Sequence, residues 1–301
     1  MSKFEIHDLG EPKSYLGIQV NYNPNECTLK LHQTQYAQTI LDRFRMSHSK
    51  PTATPLVTTK TDPKNPKLNS DIPYRSIVVS LMYLANGTHP DLTFAVNYLS
   101  HFQRKPTEEH YRMLKQILRY LNGTVNKGLV YHGKTNVMIV HTDADFASDV
   151  TDCKSTSGIV IHLYGDLIVW SSHKQDCTTL STTEAEYVAI SEGLCDAKFV
   201  YGLTNDLLEN VPRPITLFED NVSAICLAKK QENKKTKHFD VKYHFICSEV
   251  ECKFVTLKYT PSVNQLADIL TKPLGKMAFQ KFRDALVTNI RNEKRLRMAK
   301  Y

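Results

Sequence analysis

Apolar residues recur at two different spacings in the first part of the chain. Residues 15–22 and 27–31 alternate apolar and polar side chains, which predicts two strands joined by a turn at 23–26. Residues 34–44 repeat apolar side chains every three or four positions, which predicts a helix. Because a hairpin and one helix bury little apolar surface, we expect residues 1–46 to pack against another part of the chain.

A proline-rich segment separates this region from a helical one. Residues 47–73 contain five prolines among Ser, Thr, Lys and Asp, which predicts an extended linker. Three segments with apolar residues at helical spacing follow within residues 74–127, and Asn-Gly pairs at 86–87 and 122–123 would end the first and the third helix. The polar faces of these helices are basic, which fits either an ordinary solvated surface or one that follows a nucleic-acid backbone.

From residue 128 onward, strands alternate with helices. The predicted strands are 136–142, 158–164, 167–171, 215–218 and 254–259, and the predicted helices are about 182–208, 221–230, 239–251 and 264–271. Strands followed by strand–helix units predict an α/β domain over residues 128–275, with a mixed five-stranded sheet and helices on its faces. Residues 276–301 are predicted to form a basic C-terminal tail.

The composition fits a folded, mildly basic protein, for which a polyanion partner is one option, since many proteins this basic bind no nucleic acid. Hydrophobic residues make up 41% and charged residues 23% of the 301 positions, so a packed core is expected. The net charge is +7 and the isoelectric point is near 8.9, which is compatible with nucleic-acid binding. Seven cysteines without framework spacing indicate reduced thiols and an intracellular setting. No apolar run approaches the roughly 20 residues of a membrane span.

Four acidic residues lie where the predicted elements begin or end. Asp143 and Asp220 follow the first and fourth predicted strands. Glu186 lies in the first turns of the long helix, and Asp268 lies on the last helix. If the two strands are neighbours, Asp143 and Asp220 lie side by side, and crowded carboxylates repel one another unless cations bind. Hard oxygen ligands favour Mg²⁺ or Mn²⁺, and two such ions about 4 Å apart support hydrolysis of a phosphodiester.

These acidic positions fall in motifs that resemble the RNase H domain of copia-type LTR retrotransposon Pol polyproteins. The matching segments are HTDADF at 141–146, KSTSG at 154–158, WSSHKQ at 170–175, STTEAEYVA at 181–189, EDNVSA at 219–224, TKHFD at 236–240 and QLADILTKPL at 265–274. Residues 3–123 resemble the reverse-transcriptase segment that follows the polymerase active site. Its matching segments are FEIHDLG at 4–10, YLGI at 15–18, YRS at 74–76, LMYL at 81–84 and ILRYL at 117–121.

The resemblance implies a fold, a site and a substrate. Residues 128–275 would form an RNase H-like domain, preceded by a mostly helical thumb and connection remnant of the reverse transcriptase. Asp143, Glu186, Asp220 and Asp268 would be the catalytic and metal-binding residues, holding two Mg²⁺ or Mn²⁺ ions. The substrate would be an RNA–DNA hybrid. The family acts in cytoplasmic virus-like particles, so a cytoplasmic location, and in addition a nuclear one, is implied.

The chain also departs from the family pattern. The polymerase of the family needs a Tyr-x-Asp-Asp hairpin, and this chain has no adjacent pair of aspartates. We therefore expect no DNA polymerase activity from this chain alone, with the rest of a Pol polyprotein as a partner in trans. Cellular RNases H carry a mobile histidine in the loop before the last carboxylate. The corresponding loop, residues 260–263, has none, so proton transfer or product release there must rely on water or another group.

Candidate nucleic-acid-binding residues lie near the site and beyond the fourth strand. Ser155, Thr156 and Asn221 would contact a ribose 2′-OH, the group that distinguishes RNA from DNA. A basic stretch would hold the phosphates of the hybrid, although a soluble loop has the same composition. The residues of that stretch are Lys229, Lys230, Lys234, Lys235, Lys237 and His238.

Some ligand assignments leave alternatives. Asp145 and Glu184 each lie two residues from a proposed ligand and could take its place. Glu219 precedes Asp220 on a strand, so we expect its side chain on the opposite face, in solvent.

A zinc site is a further alternative. His238, His244, Cys247 and Cys252 approach a finger-like spacing. The apolar residues between them favour a helix whose histidines are buried or face the hybrid.

Three functions remain open on the sequence. The first is an RNase H-type nuclease that cleaves the RNA strand of RNA–DNA hybrids. The second is an inactive nucleic-acid-binding remnant of a degenerate transposable element. The third is an integrase-like core, which uses two aspartates and then a glutamate. The order here, with Glu186 before Asp220 and Asp268 last, favours the nuclease.

Overall fold

The computed structural model describes residues 10–58, 65–148, 152–207, 211–229 and 240–290. Its strands are β1 (Ser14–Tyr15), β2 (Ile18–Asn23), β3 (Thr28–His32), β4 (Lys127–Tyr131), β5 (Met138–Asp145), β6 (Thr156–Leu163), β7 (Asp166–Lys174), β8 (Ile215–Glu219), β9 (Val255–Tyr259) and β10 (Thr288–Asn289). Its helices are α1 (Thr34–Arg43), α2 (Tyr74–Gly87), α3 (Thr93–Ser100), α4 (Glu108–Thr124), α5 (Thr182–Leu207), α6 (Val222–Lys229), α7 (Asp240–Glu251) and α8 (Lys276–Leu286). None of the described helices is long and apolar enough to cross a membrane.

The first sheet is antiparallel and joins distant parts of the chain in the order β1-β2-β3-β4-β10. The predicted hairpin forms β2 and β3. Its neighbour β4 pairs through Leu31 opposite Leu129, and β10 adds to the far edge of β4. Helices α1 to α4 share one apolar core with residues of this sheet and of α8. The hairpin therefore packs against another part of the chain, strand β4, as its small size predicts.

The proline-rich segment lies along α4 where the structure describes it. Arg119 Nε donates to the backbone oxygen of Lys50 at 2.7 Å, and Asn122 Nδ2 donates to that of Ser49 at 2.7 Å. Leu56 of the same segment is buried in the helical core. The domain boundaries stated from the sequence stay a prediction.

The second sheet confirms the predicted RNase H-like fold class. Its strands run in the order β7-β6-β5-β8-β9, with β5, β6 and β7 antiparallel and with β8 and β9 parallel to β5. Helix α5 joins β7 to β8 and packs on β5 and β6. Helices α6 and α7 join β8 to β9. This is the mixed five-stranded sheet with flanking helices, and it follows a mostly helical region.

Two predicted elements differ from the structure near the acidic residues. Strand β5 continues through Asp145, so Asp143 lies within the strand and not after it. The predicted helix over 264–271 is instead two short 3₁₀ turns, Ser262–Asn264 and Leu266–Leu270, because Gln265 between them is extended. Gly158 on β6 allows the second turn to approach, since a Cβ there would lie 2.8 Å from the backbone oxygen of Ala267.

Candidate metal centre

Three of the four predicted carboxylates meet at one edge of the second sheet. Parallel pairing of β5 with β8 places His141 opposite Phe218, so Asp143 and Asp220 come two residues later at the same edge. Glu186 reaches them from the first turns of α5. One carboxylate oxygen from each of the three residues lies within 4.8 Å of the other two. Strands β5 and β8 are therefore neighbours in the sheet, which is the condition under which the sequence placed Asp143 and Asp220 side by side.

The fourth carboxylate, Asp268, lies beside Asp143 but is held by a lysine. Lys272 Nζ lies 3.1 Å from Asp268 Oδ1 and 3.6 Å from Asp143 Oδ2. The hydroxyl of Thr271 also donates to Asp143 Oδ2. Sequence analysis did not include Lys272 in the site, although its spacing of four residues from Asp268 was visible.

The charge of the cluster is poorly balanced. Burial and, after it, the nearby carboxylates of Glu219 and Asp143 together raise the pKa of Glu186 to about 11. Burial and Asp143 raise the pKa of Asp268 to about 7. Burial lowers the pKa of Lys272, but the carboxylates of Asp143 and Asp268 outweigh it and raise that pKa above its usual range. One lysine therefore faces several acids that burial and repulsion keep from ionising together.

The donor set fits a hard divalent cation. Glu186 Oε2 is buried and has no hydrogen-bond partner among the described residues. A buried carboxylate oxygen without a partner costs free energy unless a cation binds it. Three convergent carboxylates are ligands that Mg²⁺ or Mn²⁺ would accept. Within the described residues, this is the single group of three or more potential metal ligands found close together.

The alternative ligands lie outside this group. Asp145 is half-buried farther along β5, and Glu184 Oε2 accepts a hydrogen bond from the backbone nitrogen of Leu180 at 2.6 Å. For the zinc alternative, Cys247 Sγ donates to the backbone oxygen of Ala228. Cys252 Sγ contacts Glu249 on the same helix, and His238 lies outside the described residues.

The expectation that Glu219 is solvated was wrong. Its side chain is fully buried: Oε2 accepts from Thr142 Oγ1 at 2.9 Å, and Oε1 accepts from the backbone nitrogen of Asn221 at 3.1 Å. Burial raises its pKa well above the usual range. The alternation of β8 carried the signal, because Ile215 and Leu217 share the buried face with Glu219.

The loop before Asp268 contributes a hydroxyl to the site. Ser262 Oγ donates to Asp220 Oδ2 at 2.6 Å, and Ser262 is exposed. Sequence analysis did not identify which group would act from this loop in place of a histidine. In the structure, Ser262 is the loop side chain that reaches a carboxylate of the cluster.

The candidate nucleic-acid-binding residues have different environments. Ser155 is fully buried, with its hydroxyl 3.1 Å from Thr179 Oγ1. Thr156 is half-buried and bonds Ser148, and Asn221 caps α6 by accepting from the backbone nitrogen of Ala224 at 3.0 Å. Lys229 is exposed at the end of α6. The remaining candidates, Lys230, Lys234, Lys235, Lys237 and His238, lie outside the described residues.

Comparisons with known proteins point to mobile elements. No protein-family model matches the chain. The chain is 38% identical over 287 residues to the retrovirus-related Pol polyprotein from transposon RE1 of Arabidopsis thaliana, a match that covers 93% of this chain and 19% of that protein. It is 34% identical over 286 residues to the retrovirus-related Pol polyprotein from transposon TNT 1-94 of Nicotiana tabacum, covering 92% and 22%. The chain thus spans about a fifth of the length of these curated relatives. Among solved structures, LC11-RNase H1 from compost is similar with a TM-score of 0.36 and 20% identity, over 49% of this chain and 98% of that one.

Proposed function

This chain belongs to the Pol polyproteins of copia-type retrotransposons, and we propose that the domain containing its second sheet is an active RNase H-type nuclease. Its reaction would be hydrolysis of the RNA strand of RNA–DNA hybrids. The observation that supports this proposal best is the convergence of Asp143, Glu186 and Asp220, with one buried oxygen of Glu186 that has no hydrogen-bond partner in the described part of the chain. A purely structural cluster of acids would be expected to have donors for its buried oxygens.

Four carboxylates would hold two Mg²⁺ or Mn²⁺ ions. They are Asp143, Glu186, Asp220 and Asp268. Ions bound there would supply activation of a water molecule and stabilisation of charge on the phosphodiester oxygens. The metal requirement and the hybrid substrate are both part of the proposal.

The surrounding residues would keep the carboxylates in place. Thr271 donates to Asp143, and Ser262 donates to Asp220. Glu219 accepts from Thr142 of β5 and from the backbone after β8, and so joins the ends of the two strands that carry Asp143 and Asp220. Side chains that are fixed before substrate binds need less reorganisation during the reaction.

Substrate binding would depend on phosphate contacts and on the ribose hydroxyl. The net charge of +7 favours a polyanion. We propose that Lys229 and the basic residues that follow it hold phosphates, and that Thr156 is the better placed of the two neighbouring hydroxyls to contact the ribose, because Ser155 is buried.

The test is a gel assay of hybrid cleavage by the full chain. We expect the RNA strand of an RNA–DNA hybrid to be cut in Mg²⁺ or Mn²⁺, while double-stranded DNA and free RNA remain intact. Asp143→Asn should abolish cleavage. The matched control is Asp145→Asn on the same strand, which should retain it, because Asp145 lies outside the convergent group.

Each rival function predicts a different gel. An inactive remnant would leave the hybrid unchanged under both metals, although the protein is folded and binds the hybrid. An integrase-like core would join DNA ends and leave the hybrid uncut. Loss of cleavage in Asp145→Asn but not in Asp143→Asn would show that Asp145, and not Asp143, is the metal ligand on β5.

A further inference from the structure

We propose that Lys272 is a resident cation that sets the order in which metal ions enter the site. The inference rests on the proposed function, since it takes the carboxylates to be metal ligands. The first ion would enter at Asp143, Glu186 and Asp220, and the second would enter beside Asp268 only when Lys272 leaves. Lys272 would thus be a positioning residue that acts through the carboxylates.

The two sides of the carboxylate cluster are unequal. On one side, Asp143, Glu186 and Asp220 face one another within 4.8 Å, and no cationic side chain lies between them among the described residues. On the other side, the Lys272 ammonium lies between Asp143 and Asp268, at 3.6 Å and 3.1 Å. An ammonium at this distance already supplies part of the countercharge that a second, divalent ion would supply.

The chain holds Lys272 in this position by local geometry. Lys272 follows Asp268 by four residues and lies two residues after the end of the second 3₁₀ turn, and Thr271 beside it donates to Asp143. The Lys272 side chain is 35% exposed, so it has a path into solvent. A lysine buried on all sides could not be displaced without a change of fold, whereas this one can swing outward on its own flexible stem.

The proposal predicts opposite changes in stability and in metal affinity. Without Lys272 the metal-free cluster loses its countercharge, so the metal-free protein should become less stable. The second ion no longer competes with an ammonium, so it should bind more tightly. A lysine with a merely structural role would lower stability without raising the affinity of any ion.

The experiment is calorimetric titration of the metal-free full chain with Mn²⁺ alone, without substrate. We expect two classes of site in the wild type. Lys272→Met should tighten the weaker class by about tenfold, which corresponds to about 1.4 kcal/mol. The stronger class should change by less than about threefold. We expect only this fraction of the full Coulomb interaction because solvent screens a side chain that is one-third exposed.

Two further variants serve as controls. Lys272→Arg keeps the charge and should keep the weaker class weak. Lys281→Met removes an ammonium from the same neighbourhood, since Lys281 Nζ donates to Asn264 Oδ1 at 2.8 Å and contacts no carboxylate of the cluster. It should leave both classes unchanged. Thermal unfolding in EDTA should show a lower midpoint for Lys272→Met than for the wild type, and Mn²⁺ should raise the variant's midpoint by more.

The inference and the proposed function can fail separately. If the wild type cleaves hybrid but Lys272→Met binds the second ion no more tightly, only the role of Lys272 is wrong. If the affinity change occurs but no variant or wild type cleaves hybrid, the metal order stands and the nuclease proposal fails. A wild type that binds no Mn²⁺ overturns both.

Discussion

Asp91, in the region of the first sheet and helices α1 to α4, and Asp268, in the region of the second sheet, are both buried. Their surroundings shift their pKa values in opposite directions. Asp91, in the 3₁₀ turn Pro90–Leu92 before α3, is 2% exposed. The Tyr120 hydroxyl donates to its Oδ2 at 2.5 Å, and His89 Nδ1 lies 3.5 Å from its Oδ1. Burial would raise the pKa of Asp91, but His89 and Tyr120 outweigh it and lower that pKa. Near the second sheet, burial and other carboxylates raise the pKa of Asp268 instead.

The difference separates a structural acid from a ligand. Asp91 has no other carboxylate among the groups that shift its pKa, and His89 and Tyr120 favour its anionic form. The carboxylates around Asp143 mainly face one another, and the one lysine among them does not balance their charge. Such an arrangement is disfavoured in isolation and becomes favourable when cations bind. Substitutions in the two regions should therefore have different consequences.

The largest effect is expected from Glu186→Gln. The amide keeps the shape but is a poorer cation ligand, so hybrid cleavage should fall by about 10²-fold or more. In EDTA, by contrast, the variant should be more stable than the wild type. The pKa of Glu186 is about 11 in the folded protein, against an ordinary value of 4.5, so the folded state holds a proton that the unfolded state releases. The stability cost of Glu186 is therefore absent below pH 4.5 and grows as the pH rises.

Thermal unfolding in EDTA at pH 5 and pH 8 measures this cost. The gain in midpoint from Glu186→Gln should be larger at pH 8 than at pH 5. Equal gains at both values would mean that the Glu186 carboxyl is ionised in the metal-free protein, and the contrast with Asp91 would lose its basis.

A smaller effect is expected from Tyr120→Phe in the first region. The ring of Tyr120 packs edge-to-face on Phe279 and would be kept, but Asp91 would lose its hydroxyl donor. A buried carboxylate left short of a donor costs about 1–3 kcal/mol, measured as the free energy of unfolding in urea. The Mn²⁺ affinity should not change, because Asp91 belongs to the other region.

Tyr74→Phe is the matched control for that substitution. The Tyr74 hydroxyl is also buried, but it donates to a neutral acceptor, the backbone oxygen of Leu99, at 2.9 Å. Its loss should cost about 1 kcal/mol, less than the loss of the Tyr120 hydroxyl. If Tyr74→Phe proves the costlier of the two, the Tyr120 hydroxyl is not what keeps Asp91 ionised.

The sequence predicted the two regions unequally well. Alternation and helical spacing located all five strands of the second sheet, because these signals are local. The position after a predicted strand singled out Asp143 and Asp220, although β5 continues past Asp143. The hairpin pairs with β4, about 100 positions away, and β4 pairs with β10, about 160 positions farther along, which no local pattern encodes. Lys272 and Glu219 were missed although each had a local signal, since Lys272 lies four residues after Asp268 and Glu219 alternates with Ile215 and Leu217. Their actual contacts depend on how closely a 3₁₀ turn and two strands approach, and only the packed structure determines that.

Two glycines of α5 test whether close packing in the second region serves the site, where we expect a smaller loss of cleavage than for Glu186→Gln. A Cβ at Gly193 would lie 2.5 Å from Thr142 Cγ2, so Gly193→Ala should push α5 away from β5 and shift Glu186 relative to Asp143. Overpacking of this kind costs about 1–3 kcal/mol, and we expect about a tenfold loss of cleavage at saturating hybrid. Gly202 lies on the same helix with nothing within 4 Å of an added Cβ, so Gly202→Ala should raise stability by about 0.5–1 kcal/mol and leave cleavage unchanged. Equal cleavage by the two variants would show that the spacing of α5 from β5 does not position Glu186, and the precise fit of the second region would then serve stability alone.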